Sequence, residues 1–435
     1  MVTLGLFDWV IWLTYFTLIF VILFFYRHKK STSEYRYFLP GVLIKVFGGV
    51  LFVLIYIYYY GFGDTFLYHN GASILVDTFW DDPGTYFQLL ISDSGNLPPN
   101  LQQFAQSIPY SRTSEEWFMV KILSPINLIS FKSYLVVTLF TSLISFVGSW
   151  KLFRVFNDIF KDKSKLSFIA AFLIPSAFFW GSGVLKDSIT LAAFNIFIFH
   201  LYFGISQGKL GIWRLIALVI CVSLIFILKS YIILAFLPSL GIILYLVFQS
   251  KIKSPVIRFA SGPVILAVIG FFFYSALISL SETSEKYSIE SLETQAKGFH
   301  SWHTTTAGSA YNLGEIEYTA FGVLTKIPAG LNVTFFRPYL WESNNVVMFI
   351  SALESLTLLL LLLWGIIKWR SRIFKSISAN PFLIGFLAYC IIFGFAVGFT
   401  SYNFGALMRY KIPISSLSFF ILFFLVFHMK NTSNE

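Results

Sequence analysis

The chain has 435 residues, 57% of them hydrophobic and 20% aromatic, and only 12% charged, where a soluble domain carries roughly a quarter of its residues as charges. With a mean hydropathy of +0.75, a soluble globular domain is excluded. The net charge of +10 does not point to nucleic acid, because Lys and Arg sit in short clusters between apolar runs and never form one basic domain.

Apolar runs of about 20 residues recur, each long enough to cross roughly 30 Å of hydrocarbon, and no alternating pattern of a β-barrel is present. The expected fold class is therefore all-α: a polytopic integral membrane helical bundle. The first run, 4–26, is too long for a signal h-region and lacks a basic n-region, so it reads as the first span. Further spans are predicted at 38–60, 133–153, 166–180, 188–203, 212–228, 231–248, 259–280, 345–367, 381–400 and 414–427, eleven in all. Cys221 and Cys390 both fall inside apolar runs, which supports neither a disulfide framework nor a cysteine-based zinc site.

Alternate connections carry about 19 of the basic residues in short loops, so that side is assigned to the cytoplasm by the positive-inside rule. The chain is expected in the cytoplasmic (inner) membrane, N-terminus out and C-terminus in. Every other polar connection then lies on the outer face, including two long ones, 61–132 and 281–344, expected to hold interfacial helices. Glu115 to Ser130 reads as one such helix. No internal repeat or linker is evident, so the chain is taken as a single transmembrane domain.

The candidate residues follow in chain order. In "GFGDTFLYHNG" the glycines free the backbone at a membrane exit and present Asp64, followed by Tyr68 and His69. Asp64 there is either an ionised general base or the N-cap of the next helix. "WGSGVLKDS" offers Lys186 and Asp187, the lysine either holding an anionic head group or snorkelling beside a helix capped by the aspartate. Lys229, between two apolar segments, either reaches the outer interface or lines a cavity. His300 and His303 stand at i,i+3, half of a metal site without a matching acid, so no cofactor is assigned and a divalent metal stays open.

"FFRPYLWES" surrounds Arg337 with aromatics and adds Glu342. Arg binds phosphate oxygens bidentately, but an interface anchor explains it as well. Glu354, near mid-span, must pair, protonate or face water. Arg409 and Lys411 sit on the side otherwise poor in basic residues, which points to an anionic ligand.

An outward carboxylate directly after an in-to-out span, a long first outer loop with an amphipathic segment and many later helices resemble the GT-C superfamily of membrane glycosyltransferases. The resemblance rests on "GDTFLYH", with "WGSGVLKDS" and "MRYKIP" in support. Two features depart from the family pattern: Asp64 is not one of a close acidic pair, and an extra span precedes it. The resemblance implies an inverting transfer of sugar from a polyprenyl-phosphate-linked donor to a glycan, lipid or protein acceptor at the outer face. Asp64 would be the catalytic carboxylate and the basic residues would hold the departing phosphate. An O-antigen-type polysaccharide polymerase and a transporter or flippase of lipid-linked or anionic substrates stay open as alternatives. The expected partners are thus lipid-linked sugar, acceptor and membrane lipids.

Overall fold

The computed structural model describes residues 3–249 apart from 95, 96, 98, 109, 112 and 209, then 252–254, 261–264, 267 and 270, then 309–369 apart from 315 and 318, and 377–428 apart from 379. All regular elements among these residues are helices, so the protein is all-α. Among the described residues seven helices are long and apolar enough to cross a membrane, or eight if a pair bent by 69° is one span. The protein is accordingly read as an integral membrane protein.

The difference from eleven has identifiable sources. The run 166–180 forms two short helices, α8 (Ser164–Phe172) and α9 (Pro175–Phe179), because Pro175 disfavours helical backbone at the residue before it and restarts the helix. The runs 212–228 and 231–248 are two helical limbs, as expected, taken together as α11 (Ile212–Gln249) across a kink at the non-helical backbone of Lys229 (φ −155°, ψ 70°), so they count once. The run 259–280 lies largely outside the described residues.

The chain divides into two compact units, Met1–Leu173 with Ala177–Ser230, and Ile174–Ser176 with Tyr231–Glu435. The division falls just after the break at Lys229.

The first unit contains α1 (Leu6–His28), α2 (Phe38–Ile55), α3 (Asp64–Asp81), α4 (Pro83–Ile91), α5 (Pro99–Gln106), α6 (Ser114–Ile129), α7 (Tyr134–Ile159) and α10 (Lys186–Ser206), with α8 and the first limb of α11. The segment 61–132 is thus largely helical. Residues Tyr68, Ala72, Leu75 and Val76 recur on one stripe of α3 and are buried, as helical periodicity requires. Tyr68, Ala72 and Leu75 meet Trp117, Val120 and Leu123 of α6 in one apolar cluster, where burying a side chain of Leu or Val size stabilises by roughly 1.5–3 kcal/mol. Gly71 permits the approach: a Cβ there would come within 3.0 Å of Ile108 and Val120.

At one end of this unit Asp8 accepts from Ser133 (2.6 Å) and Thr65 pairs with Tyr134 (2.7 Å). At the other, Arg154 pairs with Glu34 (3.1 Å) and Tyr202 donates to Asp158 (2.7 Å). Arg27, Lys29, Lys30, Lys161 and Lys163 flank the helix ends of the second group, whereas Asp64, Glu115, Glu116 and Asp187 belong to helices that begin at the first.

The second unit contains the rest of α11 and α12 (Ala320–Thr325), α13 (Ile327–Phe336), α14 (Val346–Trp369), α15 (Pro381–Thr400), α16 (Phe404–Tyr410) and α17 (Ile412–His428). Helices α13 and α15 touch backbone to backbone, since a Cβ on Gly398 would lie 2.2 Å from the Gly330 carbonyl. Thr334 donates to the Gly394 carbonyl at 2.6 Å in the same contact.

Candidate functional site

Helix α2 runs out in a π-turn, Tyr56–Tyr60, closed by Gly61 at φ +69°. Gly63 follows at φ +142°, and a Cβ there would lie 2.7 Å from the Tyr56 ring, so the position excludes a side chain on both counts. Asp64 is the first residue of α3, and Gly63 is the N-cap. The capping role considered for Asp64 is therefore replaced by that of a first-turn carboxylate facing the helix dipole.

Tyr110 donates its hydroxyl to Asp64 Oδ1 at 2.9 Å. Asp64 also lines a cavity of about 580 Å³, together with Thr3, Ile57, Tyr58, the 61–63 turn, Phe66, Leu67 and Asn70. No basic side chain is among its described lining residues.

Tyr68 lies one helical turn beyond Asp64, on the same face. It is buried and packs on Tyr110 with ring centroids 5.1 Å apart. Burial above all, then the Asp64 and Glu116 carboxylates, with smaller effects of Tyr110 and Asp187, push its hydroxyl well above the ordinary tyrosine pKa. It stays a neutral donor, and the acids that act on it define one cluster.

His69 is not part of that cluster. It faces Tyr134, with centroids 5.3 Å apart, and burial lowers its pKa to about 4, against smaller raising effects of the Lys132 backbone and Asp8. Its Nδ1 is buried without a hydrogen-bond partner.

Lys186 opens α10 and donates to Glu115 Oε2 (3.1 Å) and Glu116 Oε1 (2.7 Å). Burial works to raise the Glu116 carboxyl, but the hydrogen bond and charge of Lys186 outweigh it and hold the group below its ordinary range. The lysine expected to receive a phosphate is thus already held by two glutamates. Asp187 is not a cap, since Leu185 holds that position. Its carboxylate accepts from Lys229 at 2.5 Å, with side-chain exposures of only 3% and 8%. The Lys229 ammonium is therefore buried against a carboxylate and does not extend into solvent.

The 180–185 stretch that presents Lys186 and Asp187 is non-helical and buried. Such backbone away from water needs partners, and side chains supply them. Ser142 donates to the Ser182 carbonyl (2.8 Å) and Ser188 to that of Gly183 (2.7 Å). Just before it, fully buried Lys45 of α2 donates to the Ala177 carbonyl at 3.0 Å. Phe52 of α2 and Tyr56 of the π-turn pack on Trp180. The same end of α2 that feeds the Asp64 turn thereby supports this stretch.

Lys45, Tyr110, Glu115 and Glu116 were not assigned roles by sequence reasoning. Lys45 carried a usable signal, an ionisable residue inside an apolar span. For the other three no local pattern reveals the partner.

In the second unit Arg337 forms a bidentate pair with Glu342, its Nε 3.1 and 3.0 Å from the two carboxylate oxygens and its Nη2 also on Oε1. Its guanidinium lies 5.1 Å from the Phe404 ring centre and 5.7 Å from that of Tyr339. Burial tends to raise the Glu342 carboxyl, but Arg337 and the Tyr339 N–H hold it lower than usual. Glu354 accepts from the Ser176 N–H (2.7 Å) and hydroxyl (2.9 Å), the pairing that its mid-span position requires. Lys411 stands at the bend between α16 and α17, buried, 3.3 Å from Ser355 Oγ and 3.9 Å from Glu354. Arg409 lies in the last turn of α16, with its Nε buried. His300 and His303 lie outside the described residues, and no cluster of three metal-ligating side chains occurs among those described.

No family model, no curated protein and no solved structure matches the chain.

Proposed function

We propose that the protein is a GT-C-like membrane glycosyltransferase of the inner membrane. It moves a sugar from a polyprenyl-phosphate-linked donor to a hydroxyl acceptor at the outer face, and no metal is assigned to it. The observation that carries this reading is Asp64: a carboxylate held by Tyr110 on the wall of a cavity where an apolar helix gives way to a glycine turn. Asp64 accepts the proton of the acceptor hydroxyl, the oxygen attacks the anomeric carbon, and the bond from that carbon to the lipid phosphate breaks as the phosphate leaves. Lys186, in the same unit, is the cation proposed for the departing phosphate, which would take over bonds that the lysine now makes to Glu115 and Glu116.

Asp64→Asn keeps the side-chain size and the first-turn position but cannot take a proton, so transfer should fall by about 10² to 10⁴-fold while the protein still folds. The assay follows sugar from a polyprenyl-phosphate donor into lipid or glycan in membranes. Near wild-type turnover in folded Asp64→Asn protein would remove the reading's support. The topology belongs to the same proposal, with the N-terminus out and the C-terminus in. A membrane-impermeant thiol reagent should label Ser94→Cys but not Ser31→Cys in intact cells, and the reverse result overturns it.

A second reading, a transporter or flippase of lipid-linked or anionic substrates, is favoured by one observation. Buried lysines paired to acids stand at helix breaks, at Lys229 in α11 and at Lys411 between α16 and α17, and broken helices with ionisable groups recur in transporters. Uptake or flipping of a lipid-linked sugar in proteoliposomes, without any transfer product, would decide for it.

A further inference from the structure

We infer that the basic end of the first unit binds the phosphate head group of an anionic phospholipid, gripped by Lys151 and Arg154 beside Phe199. The two cations share one face of α7 and stand over the same ring of α10, the ammonium 4.2 Å and the guanidinium 5.4 Å from the centre of Phe199. The ring attracts each of them, yet it brings like charges together. Among the described residues Lys151 makes no hydrogen bond and no ion pair, and the one charge that acts on it is that of Arg154. Arg154 has a carboxylate 3.1 Å away, Glu34 of the short turn Ser33–Tyr37, but among the described residues it makes no hydrogen bond. The next acid along α7, Asp158, accepts from the Tyr202 hydroxyl at 2.7 Å. Arg214, at the start of α11, adds a third cation: it donates to the Phe203 carbonyl at 2.6 Å, and its charge and that of Lys151 both reach His200. A phosphodiester has two anionic oxygens, enough to bridge the Lys151 ammonium and the Arg154 guanidinium through donors that the protein leaves unused.

The surroundings argue for a lipid over free phosphate. Helix α7 is long and apolar enough to cross a membrane. Val147, at its middle and one turn from Lys151 on the same face, is 45% exposed, so hydrocarbon borders the cations on that side. On the other side Trp213, next to Arg214, is 80% exposed, as befits an indole at the membrane–water interface. A head group on Lys151 and Arg154 thus leaves its acyl chains in the bilayer alongside Val147, and basic pockets between membrane helices suit anionic head groups. A zwitterionic lipid fits less well, because its own ammonium would bring a further positive charge to the pair.

The site does not depend on the transferase reading. The probes are phosphatidylglycerol and phosphatidylcholine with the same photoactivatable chain, applied to the purified full-length protein in phosphatidylcholine nanodiscs. Cross-linked residues are mapped by mass spectrometry. Phosphatidylglycerol should label 147–154 saturably, and phosphatidylcholine about tenfold less. Unlabelled phosphatidylglycerol should compete with the probe, and inorganic phosphate should not. Lys151→Gln and Arg154→Gln should each weaken the phosphatidylglycerol label about tenfold, whereas Lys151→Arg, which keeps the charge, should hold it within about twofold. Lys161→Gln removes an exposed lysine of the same end and should leave the label unchanged. Equal labelling by the two lipids in the unaltered protein overturns the inference, and this comparison decides even where a variant fails to fold. A loss in Lys161→Gln as large as in Lys151→Gln also overturns it, since the attraction would then belong to the surface potential at large. Competition by inorganic phosphate would make this a site for the free ion and not for a lipid.

Discussion

Two lysines are buried beside acids at helix breaks, one in each unit, and their surroundings differ. Lys229 touches Asp187 directly at 2.5 Å. Lys411 is 3.9 Å from Glu354, whose carboxylate is met by the N–H and hydroxyl of Ser176. In the first pair the opposite charge is the close partner, whereas in the second neutral donors do much of the solvating and the lysine adds a longer-range attraction. Both satisfy the requirement that a buried charge be compensated, so equal burial need not mean equal dependence on the cation.

Removing the cation is the sharpest way to break the comparison. Lys229→Met leaves the Asp187 carboxylate without its ammonium and should cost about 3–5 kcal/mol, read as a lowered thermal midpoint of the detergent-purified protein. The double variant Asp187→Asn, Lys229→Met removes both charges and should recover much of that loss. A Lys229→Met protein as stable as the parent would mean that the contact solvates neither group.

Acid sharpens the comparison by a third way of burying an ionisable group, neutrality. His69 is 6% exposed and its pKa is lowered from 6.5 to about 4. Between those values the unfolded chain binds a proton that the folded chain does not. The contribution is therefore fully present above pH 6.5 and is lost progressively as pH falls toward 4, amounting to about 3 kcal/mol across the window. Thermal unfolding at pH 7 and pH 5 should show the decline, and His69→Gln should flatten it. An unchanged slope in His69→Gln would assign the acid sensitivity to other groups.

These cases also show what was legible in the chain. The all-α class and the principal spans could be read because hydrocarbon imposes length and composition. The glycines around Asp64 could be read because positive φ selects them, and both Gly61 and Gly63 have it. Glu354 announced that it needed a partner, but not that Ser176 would be that partner, 178 residues away in sequence. Lys186 and Arg337 looked like free cations because a sequence displays charge and not its neighbours. Glu115 and Glu116 reach Lys186 only through the packing of the 61–132 segment. The Arg337 pair is local, five residues apart, yet its aromatic surroundings include Phe404 from a separate helix. The division into two units was not read, since it falls at the Lys229–Ser230 break between two apolar runs and no linker composition marks it.

The smallest expected effect belongs to Lys411. Lys411→Met leaves Glu354 with both Ser176 donors, and hydrogen bonds to a charged group are worth roughly 1.5–3 kcal/mol each. The carboxylate thus keeps most of its solvation, and the expected cost is about 1–2 kcal/mol, well below that of Lys229→Met. Ser176→Ala should weaken the site on its own by removing the hydroxyl donor, and it should make Lys411→Met more costly, because the two then compensate one charge together. A double-mutant cycle read by thermal unfolding measures that coupling. If Lys411→Met alone costs as much as Lys229→Met and the cycle shows no coupling, the ammonium and not Ser176 carries the Glu354 charge, and the two pairs would be alike after all.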